Sequence, residues 1–215
     1  MNLLNRRLLL ALLVVALAGT AARLVLLWTV PVTGLAVVQT VTLVLYLGWL
    51  LAETPTTVRS SRRAETATDR GTVNVYATFR LATLLTALFV PGDWDSYQPW
   101  MPAAVAVFAL AVGFRLWAIT ALGRFYSHRV RITGDHQVIE HGPYRLVRHP
   151  AYTGMAVAHA AFVLLFLNPF SAGVLVALLL PTLVVRIMIE EKVLLRLPEY
   201  AGFAAQRKRL IPWVW

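Results

Sequence analysis

The sequence predicts an all-α protein, a polytopic transmembrane helical bundle, and three observations lead to this fold class. Of its 215 residues, 59% are hydrophobic and only 14% are charged, whereas soluble domains carry roughly a quarter charged residues. The apolar residues are gathered in runs long enough to cross a bilayer core of roughly 30 Å as helices. Most of the basic residues lie between these runs. Such a composition suits helices whose outer surface meets lipid.

Six apolar segments define the predicted spans, with a five-span arrangement as the alternative. They cover residues 8–28, 32–52, 73–90, 101–122, 151–167 and 170–189. Only Asn168-Pro169 separates the last two, which predicts a C-terminal helical hairpin with proline in the first turn of its second helix. We therefore divide the chain into an N-terminal four-span region, residues 1–122, and a C-terminal core, residues 123–215, with a loop, the hairpin and a tail.

The basic residues predict the orientation of these spans. If the N-terminus is cytoplasmic, 16 of the 20 Lys and Arg residues fall in cytoplasmic segments, four lie inside helices, and none lies in an outside loop. The positive-inside rule then holds at every connection. The net charge of +10 is therefore attributed to topology and not to nucleic-acid binding. We expect both termini on the cytoplasmic side of a membrane and, from the arginine-rich composition, a bacterial one.

The first span and the arginines inside spans allow alternative interpretations. The first span resembles a cleavable signal peptide, but its apolar run continues and a second span follows at once, which favours a retained helix. Charged residues inside a span are costly and often functional. Arg23 and Arg115 are expected to snorkel to the interfaces. Arg80 lies deeper and is expected either to face a cavity or to pack against a polar partner.

The longest hydrophilic connection, residues 123–150, holds four of the five histidines. Gly142-Pro143 is a turn signal, and Pro150 suits the first turn of the fifth helix. Free N–H groups at that helix start, with Arg145 and Arg148 beside them, predict an anion pocket at the inner membrane surface. The same arginines are also explained by the positive-inside rule alone, and the residues leave both interpretations open.

A second polar element lies at the end of the sixth span, where Arg186 and Glu190 are four residues apart and share a helix face. Taken alone, the pair indicates an ordinary intrahelical ion pair. The hairpin changes this interpretation, because its fifth helix starts and its sixth helix ends on the same side. Glu190 is then expected near His149 and Tyr152, so that a cationic ligand with a carboxylate tail could meet an acid and an anion seat.

The histidine-rich connection also permits a metal site, but no metal ligand is assigned. No histidine pair has the i, i+4 spacing with an intervening Glu that is typical of the common zinc helix. The chain has no cysteine, which excludes thiolate ligands and a cysteine nucleophile. His159, inside the fifth span, is interpreted as a packing or hydrogen-bonded residue.

Together these elements resemble the isoprenylcysteine carboxyl methyltransferases and the related phospholipid N-methyltransferases. The matching motifs are, in order, Gly142-x-Tyr144, Arg148-His149-Pro150-x-Tyr152-x-Gly154, Arg186-x-x-x-Glu190-Glu191, Glu199-Tyr200 and Arg209-Leu210-Ile211-Pro212. The resemblance covers about residues 128–212. It agrees with the absence of a G-x-G-x-x-G loop between a strand and a helix, the usual nucleotide-binding element of doubly wound sheets.

The resemblance implies an integral membrane methyltransferase with a cytoplasmic-side pocket for S-adenosyl-L-methionine in the C-terminal core. Its cofactor-binding residues are then expected to be His136, Gln137, Val138, Ile139, Tyr144, Arg148, His149, Pro150, Ala151, Tyr152 and Glu190. Arg186 and Glu190 are the expected catalytic residues, with Arg186 also binding the acceptor. The chain departs from the family pattern at Arg129, Glu140-His141 and Phe203, and these departures are expected to affect the acceptor more than the cofactor.

The expected acceptor is a lipid or isoprenoid-like molecule, methylated on a carboxylate, an amine or a thiol. A carboxylate needs no general base and would be held by Arg186, whereas an amine or thiol needs a base, for which Glu190 or a histidine is the candidate. The bilayer is the other expected partner, and the oligomeric state is not predicted. Two alternative functions stay open: a membrane reductase-like protein with another cofactor, and a non-enzymatic scaffold or transporter with a structural Arg–Glu pair.

Overall fold

The computed structural model describes residues 3–29, 31–62, 71–126 and 138–215, and its regular structure within these ranges is helical. The helices are α1 Leu3–Leu27, α2 Gly34–Arg62, α3 Thr72–Phe89, α4 Met101–Leu122, α5 Pro150–Leu165, α6 Pro169–Val174, α7 Leu180–Leu194 and α8 Pro198–Gln206. A π-helical turn, Leu175–Leu179, joins α6 to α7. Within the described ranges, five stretches are long and apolar enough to cross a membrane: the first four helices and Pro169–Leu194. The predicted all-α polytopic bundle is confirmed.

Helix α5, the fifth of the six predicted spans, is shorter than the others. Its 16 residues rise about 24 Å, less than the roughly 30 Å of a hydrocarbon core. Ten of these residues are buried, so α5 is enclosed mainly by the protein and presents little surface to lipid. By length, the structure therefore matches the five-span alternative.

Helix α5 packs most closely against α4, at a point where only glycine fits. A Cβ atom added to Gly154 would lie 2.7 Å from the carbonyl oxygen of Ala111 and 2.8 Å from the Cβ atom of Arg115. Both distances are shorter than a normal van der Waals contact. Gly154, in the R-H-P-x-Y-x-G motif, thus allows the two helix backbones to touch and sets where the start of α5 lies.

The turn between α5 and α6 is held by Asn168, which is fully buried. Its Oδ1 accepts a hydrogen bond from the Ser171 N–H at 2.8 Å, the geometry of a helix N-cap. Its Nδ2 donates to the Thr86 carbonyl of α3 at 3.1 Å. Pro169 occupies the first turn of α6, as predicted. The hairpin turn is therefore also attached to α3.

The expectation that Arg115 snorkels to the interface is wrong. Its side chain is 2% exposed and forms an ion pair with Glu53 of α2, with Nε 2.5 Å from Oε1. Arg80 also pairs with Glu53, at 3.2 Å, and lines a groove between helices, so both parts of the Arg80 expectation hold. Arg23 is half-buried and its Nε has no hydrogen-bond partner. Burying Arg115 is tolerated because Glu53 compensates its charge.

The ion pair of Arg115 with Glu53 and the close contact at Gly154 lie toward one end of the bundle, which we call the site end. It is the end at which α2, α4 and α7 finish and α3 and α5 begin. His159, farther along α5, bonds to the Met155 carbonyl at 3.0 Å and lies 3.4 Å from the Tyr46 hydroxyl. It is a buried hydrogen-bonded residue, as predicted.

Replacing Gly154 by alanine tests the close contact of α4 and α5. The new methyl group must push the helices apart, and overpacking of this kind costs about 1–3 kcal/mol. We expect Gly154→Ala to lower the apparent melting temperature of the purified protein in detergent. Gly113→Ala in α4 is the matched control, because its Cβ would meet nothing within 4 Å and alanine favours a helix. Equal melting temperatures for the two variants would contradict this account of the interface.

Candidate functional site

A carboxylate near the end of α7 ties the start of α5 to the C-terminal tail. Glu191 Oε1 lies 2.7 Å from Arg148 Nη1 and 3.4 Å from His149 Nε2. Its Oε2 accepts a hydrogen bond from Arg209 Nε at 2.7 Å. Because Glu191 is 5% exposed, these charge-assisted bonds are largely shielded from water. Glu191 therefore holds three separate parts of the chain together.

Backbone hydrogen bonds reinforce this attachment of the tail. The N–H groups of Arg148 and His149 donate to the carbonyls of Lys208 and Arg209 at 2.8 and 3.0 Å. The Thr153 hydroxyl donates a hydrogen bond to the Leu210 carbonyl of the tail at 2.8 Å. The tail thus covers the start of α5, where the sequence predicts an anion pocket. Since Arg148 is already paired, only part of its charge is available to such a pocket.

Glu190, the residue before this carboxylate, has a different environment. It is half-buried, and no hydrogen bond or ion pair joins it to another residue of the described ranges. Burial raises the pKa of the Tyr144 phenol well above its usual value, and the neighbouring Glu190 carboxylate adds to the rise. Burial likewise raises the pKa of Tyr126. The Tyr144 phenol stays protonated at neutral pH and offers an O–H group beside an acid that has no cationic partner among the described residues.

An apolar cluster lies beside Glu190 at the site end. Its buried members are Ala118, Tyr144, Ala151, Tyr200 and Phe203, and Val138, Ile139 and Tyr126 pack against them. Helix α4, the connection before α5, the first turn of α5 and α8 therefore meet here. Burial raises the pKa of the Tyr200 phenol, and Arg148 beside it lowers this pKa only in part, so the hydroxyl stays protonated within the cluster.

Arg186, four residues before Glu190, is directed toward α3 and α5. Its Nη1 donates to the Thr72 hydroxyl at 3.1 Å, and its Nη2 donates to the Tyr152 hydroxyl at 3.4 Å. Its guanidinium also lies over the Tyr76 ring, 5.4 Å from the centroid. The intrahelical ion pair with Glu190 is therefore not formed. Arg186 and Glu190 instead face neighbouring parts of the site end.

The ion pair of Arg115 with Glu53 is the part of the site that the sequence did not predict. Besides Glu53, Arg115 bonds to the Ala151 carbonyl at 2.9 Å and to the Tyr126 hydroxyl at 3.3 Å. The Trp49 indole N–H donates to the same carboxylate at 2.6 Å. An acid inside an apolar helix is itself a signal for a functional site. Glu53 directly follows the second predicted span, which ends at residue 52, whereas α2 continues to Arg62 and keeps this acid inside the bundle.

The structure brings together several of the residues predicted to bind a cofactor. Tyr144, Ala151, Val138 and Ile139 belong to the apolar cluster. The rings of His149 and Tyr152 lie 5.9 Å apart at the start of α5, where Pro150 is buried. The acid that contacts His149 is Glu191, the neighbour of the predicted Glu190. His136, Gln137 and Arg129 lie outside the described residues.

Comparison with known proteins gives a consistent match to the core. The model of the isoprenylcysteine carboxyl methyltransferase (ICMT) family matches residues 104–196, from α4 to just beyond α7. A probable protein-S-isoprenylcysteine O-methyltransferase of Oryza sativa subsp. indica is 28% identical over 141 residues, which cover 57% of this chain and 72% of the rice protein. Protein-S-isoprenylcysteine O-methyltransferase A of Arabidopsis thaliana is 33% identical over 79 residues, 35% of this chain and 40% of that protein.

The family model covers the stretch that carries the helical hairpin, Glu190, Glu191 and the α4–α5 contact. It includes the first three of the ordered motifs from which the resemblance was predicted, and the last two lie beyond its end. The predicted resemblance is confirmed: over residues 104–196 the chain resembles the isoprenylcysteine carboxyl methyltransferase family, and by this resemblance it is classed as a methyltransferase.

Proposed function

We propose that this protein transfers a methyl group from S-adenosyl-L-methionine to a lipophilic acceptor, and that the site end faces the cytoplasm. The observation that supports this most directly is the environment of Glu190. A half-buried carboxylate without an ion pair among the described residues lies beside buried tyrosine hydroxyls and an apolar cluster. Such a site suits a cation with an apolar body.

The residues present fit the cofactor in three respects. Glu190 offers a carboxylate to a cationic centre, and the neighbouring tyrosine rings offer their electron-rich faces. Val138, Ile139 and Ala151 offer apolar contacts to a purine ring. The buried Tyr200 hydroxyl adds a polar group to the same cluster that a bound molecule could contact. We assign these residues, with Tyr144, to the cofactor site.

When bound, S-adenosyl-L-methionine supplies an activated methyl group on a sulfonium, so the protein needs chiefly to align the acceptor and exclude water. Helix α8 contributes to the exclusion of water, because Tyr200 and Phe203 are buried over the apolar cluster. Glu191 keeps the tail closed over the start of α5. Arg186, bonded to Tyr152, would orient the acceptor next to the cofactor residues.

For the acceptor we propose a carboxylate on an isoprenoid-like or other lipid chain. The planar guanidinium of Arg186 matches the geometry of a carboxylate, which needs no general base. The names of the rice and Arabidopsis relatives specify O-methylation of isoprenylcysteine on their own substrates. A carboxylate acceptor in this chain would be the same chemistry on a molecule of the same class.

The nature of the acceptor group can be tested by the stability of the methyl product. Membranes that contain the protein are incubated with methyl-labelled S-adenosyl-L-methionine, and the lipid extract is treated with base. A methyl ester releases volatile labelled methanol, whereas an N-methyl group does not. We expect volatile label, and we expect Arg186→Lys to reduce it at least about tenfold because lysine lacks the bidentate donor geometry. Arg196→Lys, beyond α7 and exposed, should retain it. Label that stays in a base-stable lipid would exclude the carboxylate.

A glutamine at position 190 tests the cofactor site directly. Glu190→Gln keeps the shape of the side chain and removes its charge, so the affinity for S-adenosylhomocysteine in calorimetry should fall at least about tenfold. Glu199→Gln in α8 is the matched control, because Glu199 is exposed and should bind as the unmodified protein does. Unchanged affinity in Glu190→Gln, with the melting temperature also unchanged, would refute the assignment.

Replacing the neighbouring acid, Glu191, should change the stability of the protein. Glu191→Gln leaves Arg148 and Arg209 without their shared carboxylate, at a cost of about 1–3 kcal/mol for this partly exposed cluster. We therefore expect a lower apparent melting temperature and faster proteolysis of the tail. Glu140→Gln removes the exposed pair with Arg207, 3.1 Å long and with Glu140 53% exposed, and should change stability by at most about 0.5 kcal/mol. Equal stability of both variants would show that Glu191 does not hold the tail.

A further inference from the structure

Residues 210–215 of the tail form a closed turn, which we call the tail turn. The Leu210 N–H donates to the main-chain oxygen of Trp215 at 2.7 Å, so the turn is held by its own backbone. The Arg209 guanidinium lies over the Trp215 ring, 5.3 Å from its centroid. Since Arg209 also bonds to Glu191, the tail turn is attached to α7 and has a defined position on the bundle.

The contacts of the tail turn place it at the depth of the membrane boundary. Its Leu210 carbonyl accepts a hydrogen bond from the Thr153 hydroxyl of α5, and the next residue, Gly154, touches Arg115 of α4. Arg115 lies seven residues, or about 10 Å, before the end of α4 at Leu122. Because α4 is long and apolar enough to cross a membrane, the tail turn lies beside roughly the last two turns of a span.

At this depth the tail turn exposes large apolar side chains. The side chain of Trp213 is 92% exposed and that of Val214 is 70% exposed. Trp213 also has a φ angle of 64°, in the left-handed region that bulky residues rarely adopt. A strained conformation of this kind points to a functional contact. Tryptophan, with an apolar ring and one N–H donor, is typical of the layer in which a membrane meets water.

Positive charge accompanies these apolar side chains. Residues 206–215 contain three basic residues and no Asp or Glu. Lys208 is exposed and forms a β-bridge with Val147, so the exposed Arg145 lies two residues from the same bridge. Neither Lys208 nor Arg145 has an ion pair with another residue of the described ranges. Exposed cations next to an exposed indole match the anionic head groups of a membrane surface.

We propose that the tail turn binds the head-group layer of an anionic membrane, with the Trp213 indole at the boundary of the acyl chains and with Lys208 and Arg145 on lipid phosphates. The partner is a layer of negatively charged phospholipids and not a single enclosed ligand. The depth of the turn favours lipid over a soluble protein as this partner. The proposal does not depend on methyl transfer. It means that the tail is fixed over the start of α5 by the membrane on its outer side and by Glu191 on its inner side.

A fluorescent label on the tail turn tests this proposal. Because the chain has no cysteine, a label on Val214→Cys reports on this turn alone. The purified protein in dodecyl maltoside is titrated with phosphatidylglycerol that carries a spin label near its head group, or with phosphatidylcholine labelled in the same way. Contact with the spin label quenches the fluorescence. We expect half-maximal quenching at an at least about tenfold lower mole fraction of phosphatidylglycerol, because two cations face its negative charge.

Two further variants of the labelled protein separate the charge from the apolar contact. Lys208→Gln should reduce the preference for phosphatidylglycerol about fivefold. Arg196→Gln is the matched control, because it makes the same change of charge at an exposed residue outside the tail turn, and it should keep the preference. Trp213→Asn should weaken quenching by both lipids, since asparagine tolerates the left-handed backbone but lacks the indole.

The results that would overturn the proposal are distinct from one another. Equal quenching by the two lipids overturns the anionic partner, and equal effects of Lys208→Gln and Arg196→Gln overturn the assignment of Lys208. Unchanged quenching in Trp213→Asn overturns the contact of the indole. Absence of quenching by either lipid overturns membrane binding altogether, and a label that is then also shielded from aqueous iodide would show that protein covers the tail turn instead.

Discussion

The ion pair of Arg115 with Glu53 is the interaction on which the site end depends. It joins α2 to α4, and through the Ala151 carbonyl and the Tyr126 hydroxyl it also fixes the first turn of α5 and the chain after α4. In water such a pair would contribute little. Inside an apolar bundle, loss of either partner leaves an uncompensated buried charge, so the pair constrains where the helices meet. This ion pair therefore helps to position the proposed cofactor residues around Ala151.

Much of the fold follows from the sequence because lipid imposes simple rules on it. The bounds of α3 and α4, the short connection at Asn168-Pro169 and the start of α5 at Pro150 were predicted to within a few residues, since apolar run length and proline position decide them. Helix α2 instead continues ten residues beyond the predicted span, because its last turns are polar. The motifs from Tyr144 to Glu191 also predicted the resemblance to the family, because their order along the chain can be read from the sequence without knowledge of the packing. The convergence of α5 and α7 then places these motifs at one end of the bundle.

Pairing between distant residues could not be predicted in the same way. Arg115 was expected at the interface because its partner, Glu53, lies 62 residues earlier in the chain, and no local pattern joins the two. Glu190 and Glu191 are adjacent in sequence, yet a helix turns them onto different faces, and only the packed structure shows that His149 meets the second. The π-helical turn at Leu175–Leu179 likewise could not be predicted, because it does not change the hydrophobic pattern of the sequence.

Three acids of the site end, Glu53, Glu190 and Glu191, differ in how their charge is compensated, and this difference separates their roles. Glu191 serves Arg148 and Arg209, and because Arg209 is 34% exposed, water can solvate the surplus positive charge. Glu53 also pairs with two arginines, and all three side chains are nearly buried. The Trp49 ring, 4.4 Å from the Arg80 guanidinium carbon, adds a cation–π contact to this cluster. Glu190 alone has no arginine partner within the described ranges. The buried arginines of the site end are therefore compensated by the protein itself, whereas the charge of Glu190 favours a cation from outside it.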